Sequence, residues 1–126
     1  MAPRTFAAIG LLALLCVSAH AIDRPRVDLV RVVKSERILE LRSGATVVRR
    51  YAIALGGDPI GHKLREGDER TPEGRYVLDW RNPESGYYRS IHISYPGAAD
   101  RAAAAAAGVD PGGMIMIHGQ PGGYGW

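Results

Sequence analysis

One cysteine, Cys16, stands in the 126 residues, and it lies in an apolar run near the start of the chain. Past that run there is no thiol, which excludes a disulfide framework, a thiolate metal site and a cysteine nucleophile built from those residues. Aromatics make up only 7%, with a single phenylalanine, so packing must rest on aliphatic side chains. After Val17 no apolar stretch approaches the roughly 20 residues that a membrane-crossing helix needs. An excess of one charge is also missing, since 16 lysines and arginines face 13 acids for a net of +3. That balance argues against a nucleic-acid module. The Arg49–Arg50 pair, and Lys63 and Arg65 answered by Glu66, Asp68 and Glu69, read as solvated faces. For an exported chain, the slight basic excess suits an anionic cell-wall polymer better.

Export is what the first residues suggest. Arg4 supplies a positive flank, Phe6 to Val17 an apolar core too short to span a bilayer, and Ala19-His20-Ala21 a small-residue cleavage site. A signal peptide over residues 1–21 leaves 22–126 as one domain, with room for one modest core. Lipid attachment through Cys16 is disfavoured by the bulky Leu15 before it, so no stable membrane anchor is expected.

Along the mature chain the apolar residues alternate, the period of strands. Val27 to Lys34 is β-branched, Leu39 and Leu41 alternate with Glu40 and Arg42, and Ser43-Gly44 turns the chain into Thr46 to Leu55. In that last strand Val47, Tyr51, Ile53 and Leu55 are expected on one face, and the three strands read as an antiparallel meander. Residues 56–74 are punctuated by glycine and proline, and a loop of this length is uncommon unless it has work to do. Strand character returns at Arg75 to Trp80 and at Ser90 to Tyr95, where Ile91, Ile93 and Tyr95 oppose His92 and Ser94. One helix is expected over Ala98 to Ala107, between Pro96-Gly97 and Gly108. It contains six consecutive alanines at 102–107, and is short enough to need docking against the sheet. Met114 to His118 forms a final strand with Ile115 and Ile117 on one side and Met114, Met116 and His118 on the other. The segment after Gly119 has loop composition, which reads as an incomplete domain. The fold class is thus mainly β, with one short alanine-rich helix.

Candidate chemistry is sparse. Gly56 to Lys63 falls short of a phosphate loop because His62 separates glycine from lysine and Leu64 stands where a hydroxyl is required. His62, His92, His118 and Asp68 lack the spacings of a metal site, so no metal and no cofactor is expected. His118 is the sharpest candidate, an imidazole at the end of a strand and directly before a glycine, where a sheet can hold it at the rim of a cleft.

Five segments, in order, resemble the L,D-transpeptidase catalytic domain. They are Lys34-Ser35-Glu36-Arg37, Ile53-Ala54-Leu55-Gly56-Gly57, Glu66 to Gly74 (EGDERTPEG), Ile91-His92-Ile93-Ser94-Tyr95-Pro96 and Ile115-Met116-Ile117-His118-Gly119. The resemblance runs from about Val27 to Gly119. It implies a β-rich fold around a mixed sheet or sandwich, peptidoglycan stem peptides as substrate, and a periplasmic address. His118 matches the family histidine that pairs with a cysteine in a later Ser/Thr-x-Gly-Cys motif, while Gly119, Tyr95 and Arg70 are expected to line the substrate cleft. In such a reaction the thiolate attacks the carbonyl of an L,D peptide bond, and the imidazole generates that thiolate and later protonates the leaving amine. Backbone N–H groups in the cysteine loop would steady the oxyanion.

The chain departs from that pattern because no Ser/Thr-x-Gly-Cys motif is present. As written it is expected not to catalyse acyl transfer, since Ser90 or Ser94 would be a far poorer nucleophile without a dedicated base. The alternatives are a non-catalytic peptidoglycan-binding remnant or, in an intact protein, a hydrolase of L,D crosslinks or of the attachments of a wall-anchored lipoprotein.

Overall fold

The computed structural model describes residues 25–120. The expected signal peptide with Cys16, and the segment 121–126, lie outside the described residues. The chain is mainly β. β1 (Leu29–Val33), β2 (Ile38–Ser43) and β3 (Thr46–Ala52) form one antiparallel sheet, and β4 (Leu78–Asn82), β5 (Ser90–Ile93) and β6 (Met116–His118) form a second. All four strand pairings among the described residues are antiparallel. A single helix, α1 (Ala98–Ala107), precedes β6.

The meander forms where expected. Gly44 takes φ +54° in the β2–β3 turn, and its N–H donates to the Asp28 carboxylate at 3.0 and 3.1 Å. The expected face of β3 does not survive. A bulge opposite Leu41 and Arg42 pairs Arg42 with Val47 and Leu41 with Arg49, while Tyr51 pairs with Leu39. Cross-strand partners share a face, so the extra residue puts Val47 and Tyr51 on opposite sides. The strand also ends at Ala52, short of Ile53 and Leu55.

β4 starts later than the composition suggests because the Tyr76 hydroxyl and the Val77 N–H go to side chains, although the Val77 carbonyl still accepts the Ser94 N–H at 2.9 Å. The Tyr76 hydroxyl donates to Asp100, and the Val77 N–H donates to Ser94 Oγ at 2.8 Å. β6 is likewise shorter than expected at its start, where Met114 takes φ +53°.

The helix has the expected bounds. The Asp100 carboxylate accepts the Gly97 N–H at 2.7 Å at its start, and Gly108, at φ +68°, closes it. It does not dock as expected, however. Its polar bonds run to the 56–76 region, where Asp100 meets His62 at 3.0 Å and Tyr76 at 3.0 Å, and Ala104 is its one buried residue.

Val30, Val32 and Leu41 from the first sheet face Leu78, Ile91 and Ile117 from the second around a cavity of about 710 Å³. The fully apolar core is small, and Leu39, Tyr95 and Ala104 are its buried members.

Candidate active site

β6 sets the site. Its pairing with β5 places Ser90 opposite His118, Ile91 opposite Ile117 and His92 opposite Met116. With no bulge between them the strict alternation of side chains holds. Ile91 and Ile117 turn to the inter-sheet cavity, and Ser90, His92, Met116 and His118 share the other face, as the sequence led us to expect.

His118 ends the strand and is exposed. Its Nδ1 lies 2.7 Å from the carbonyl oxygen of Gly119. A carbonyl can only accept, so this partner assigns a proton to Nδ1; in the neutral ring the lone pair is then on Nε2, which has no hydrogen-bond partner among the described residues. An imidazole fixed in this way is set to take a proton at Nε2. The Tyr87 ring lies 4.5 Å from the imidazole between centres, tilted by 45°. Gly119 is pinned beside it, its N–H donating to Arg89 O at 3.1 Å. A Cβ at Gly119 would stand 3.0 Å from Tyr87 O and 3.3 Å from Tyr88 Cβ, so any side chain there requires the turn to give by a few tenths of an ångström.

On the same face, His92 Nδ1 donates to Asp79 at 2.7 Å and its ring stacks on Trp80 with centres 5.0 Å apart. The His92 hydrogen bond holds the Asp79 carboxyl below its ordinary range, against a smaller opposing effect of burial.

The long loop has a centre of its own. Asp68 accepts hydrogen bonds from Lys63 Nζ at 2.8 Å and from the N–H groups of Leu64, Arg65 and Arg70 at 2.7, 3.1 and 3.1 Å. Burial pushes the Asp68 carboxyl up, but the Lys63 ammonium and the three backbone donors outweigh it and hold the group far below the usual carboxylate range. Lys34 ties this loop to the first sheet by donating to the carbonyls of Gly61 and Thr71 and to Glu73. Gly56 and Gly57 admit Glu69, since a Cβ at either would overlap its backbone carbonyl or its carboxylate.

Tyr95 and Arg70, expected in the cleft, belong to this second cluster. Tyr95 is 2% exposed, with its hydroxyl on Pro111 O at 3.0 Å, so it has no surface to offer a ligand directly. Arg70 clamps Asp58 at 2.8 Å. Neither bonds to His118 among the described residues. His62 is committed to Asp100 through Nε2 and to the Glu73 N–H through Nδ1. No group of three His, Cys, Asp or Glu able to hold a metal occurs among the described residues, and no helix among them is long and apolar enough to cross a membrane.

Sequence reasoning missed Tyr87, Tyr88 and Lys34 as partners of the site and its loop. The signal for the tyrosines was there, an aromatic pair in a Pro- and Gly-marked turn where no core could use it.

The family model for the YkuD L,D-transpeptidase catalytic domain matches residues 27–126. Two curated relatives, both called "Putative L,D-transpeptidase YafK", from Escherichia coli K12 and O157:H7, are each 37% identical over 97 residues. The match covers 71% of this chain and 37% of each relative, so the chain spans little more than a third of their length. No solved structure matches the chain significantly.

Proposed function

Because the chain belongs to the L,D-transpeptidase catalytic domain family, we propose that residues 22–126 act on peptidoglycan stem peptides in the periplasm, behind a cleaved signal over 1–21. His118 is the general base and acid of the family reaction, and Gly119 forms the adjoining wall. The observation that carries this reading is the Nδ1 contact to the Gly119 carbonyl, which leaves Nε2 as the atom to draw a proton from a thiol. The resulting thiolate would attack the L,D peptide carbonyl, and the tetrahedral adduct would collapse as the imidazolium returns its proton to the departing amine. That leaves a thioester for a second amine, or for water, to open. Arg70 and Tyr95 serve this reading by holding the long loop, through Asp58 and through the carbonyl of Pro111.

The 126 residues supply no cysteine after Cys16, which favours a second reading for the chain as it stands, in which it holds stem peptides without acylation. Two measurements test the pair. Incubation of the purified chain with a carbapenem, followed by intact mass, should give no covalent adduct, and an adduct on residues 22–126 refutes the loss of acylation. Addition of a short stem peptide should move the amide resonances of His118 and Gly119. Unchanged spectra at millimolar peptide, with no pelleting on isolated sacculi at low salt, refute both readings.

A further inference from the structure

The β4–β5 turn carries more than a turn needs. Its polar residues are enough to close it, with the Glu84 N–H on Asn82 Oδ1 at 3.0 Å and the Tyr87 N–H on Ser85 Oγ at 3.2 Å. Yet it presents two large aromatics to solvent, Tyr87 at 53% and Tyr88 at 70% exposure. Tyr88 sits at φ +73°, and the Arg89 N–H reaches back to Tyr87 O at 3.0 Å. A three-residue turn of that hand is rare and strained, more so for a bulky residue. Such strain persists only where the surroundings impose it, and it gathers at ligand sites. The surroundings here are His118 and Gly119, through the Tyr87–His118 ring contact and the Gly119 N–H on Arg89 O. The outcome is that the Arg89 guanidinium lies 5.3 Å from the centre of the Tyr88 ring. Among the described residues it makes no salt bridge.

We propose that Tyr88 and Arg89 form a carboxylate-binding wall beside His118, which takes the terminal carboxylate of the D-residue that follows the L,D peptide bond. This rests on the stem-peptide reading given above. The chemistry is direct. A guanidinium offers a planar pair of donors that matches a carboxylate, and the ring beneath it limits its swing without neutralising it. The terminal carboxylate lies one residue, about 3.5 Å, beyond the carbonyl that His118 serves, and Arg89 is joined through its own carbonyl to the residue next to His118. The wall would therefore set the register of the peptide, placing the L,D bond at the imidazole.

The test is a titration of the isotopically labelled full chain with two short peptides ending in an L-centre followed by D-alanine, one with a free terminal carboxylate and one amidated. Wild type should bind the amide at least tenfold more weakly, with His118 and Gly119 resonances moving for both peptides. Arg89→Gln should weaken the carboxylate peptide to the level of the amide and leave the amide unchanged, while Arg89→Lys should keep part of the difference. Arg89 is exposed, so these variants should fold, as an otherwise unchanged spectrum will show. Equal affinity of wild type for both peptides, or a difference that survives in Arg89→Gln, overturns the proposal and leaves the stem-peptide reading standing. Binding of neither peptide overturns both.

Discussion

Asp68→Asn is the sharpest test of how the long loop is held. The side chains of Asp68 and Lys63 are 8% and 6% exposed, and they meet at 2.8 Å. Asparagine keeps the shape but removes the charge. If its carbonyl oxygen stays on Lys63 and Arg70, its NH₂ faces the N–H groups of Leu64 and Arg65, donor against donor. The variant thus leaves a buried ammonium uncompensated and two backbone donors unpaired. Breaking a buried pair from one side costs about 3–5 kcal/mol, a large share of the roughly 5–15 kcal/mol that holds a domain together. At about 4–8 °C per kcal/mol for a domain of this size, the melting temperature should fall by at least about 12 °C near neutral pH. The pH dependence has a definite sign. The folded carboxyl titrates far below its unfolded value, so its contribution is complete above about pH 3.9 and fades as the pH falls below that. The gap between wild type and variant should therefore close in acid. Adding Lys63→Met to Asp68→Asn should recover much of the loss, since removing both charges leaves no buried ion. Urea unfolding of the three chains at two pH values measures all of this. The reasoning is refuted by an Asp68→Asn variant within about 1 kcal/mol of wild type, or by a double variant no better than the single.

Three further expectations follow from close contacts. In Gly56→Ala the new methyl would lie 2.1 Å from the Glu69 carbonyl oxygen, and since that atom is backbone the loop must move, costing about 3 kcal/mol or more; a denaturation midpoint equal to wild type would contradict this. Gly119→Ala should cost about 1–3 kcal/mol and, by pushing back Tyr87 and Tyr88, shift the His118 ring resonances; unchanged ring shifts would detach the turn from the imidazole. Burial, with help from the Asp100 carboxylate, raises the Tyr76 hydroxyl to about 12, so an ultraviolet titration should lose a late tyrosine step in Tyr76→Phe, and a profile identical to wild type would refute the assignment.

Which parts of this fold were legible in the sequence depends on how far away the deciding contact lies. The bounds of α1 are written locally, in Pro96-Gly97 before it and Gly108 after it, and the structure has the same bounds. The faces of β5 and β6 follow from alternation, which needs only an unbroken ladder. β3 failed on that condition, because the bulge opposite Leu41 and Arg42 shifts the phase of Val47, and nothing in Thr46 to Ala52 marks it. The start of β4 failed for a different reason. Tyr76 and Val77 look like strand residues, but partners 24 and 17 positions away take their hydroxyl and N–H.

The site divides along the same line. His118-Gly119 was visible as a pair because the strand end and the glycine are adjacent, and the Nδ1 bond that sets the tautomer is itself a contact between neighbours. The segment Glu66 to Gly74 was visible as a unit without its reason, which is that Asp68 folds the loop around one carboxylate while Lys34 fastens it from the first sheet. Tyr95 was placed by its motif at the substrate, yet 2% exposure makes it a prop of this loop. A motif residue thus carries either chemistry or the geometry that chemistry needs, and sequence alone does not separate the two. Exposure and partners do. Among the described residues His118 is exposed with its Nδ1 on the neighbouring carbonyl, and the turn packed against its ring is where the proposed substrate recognition is best tested.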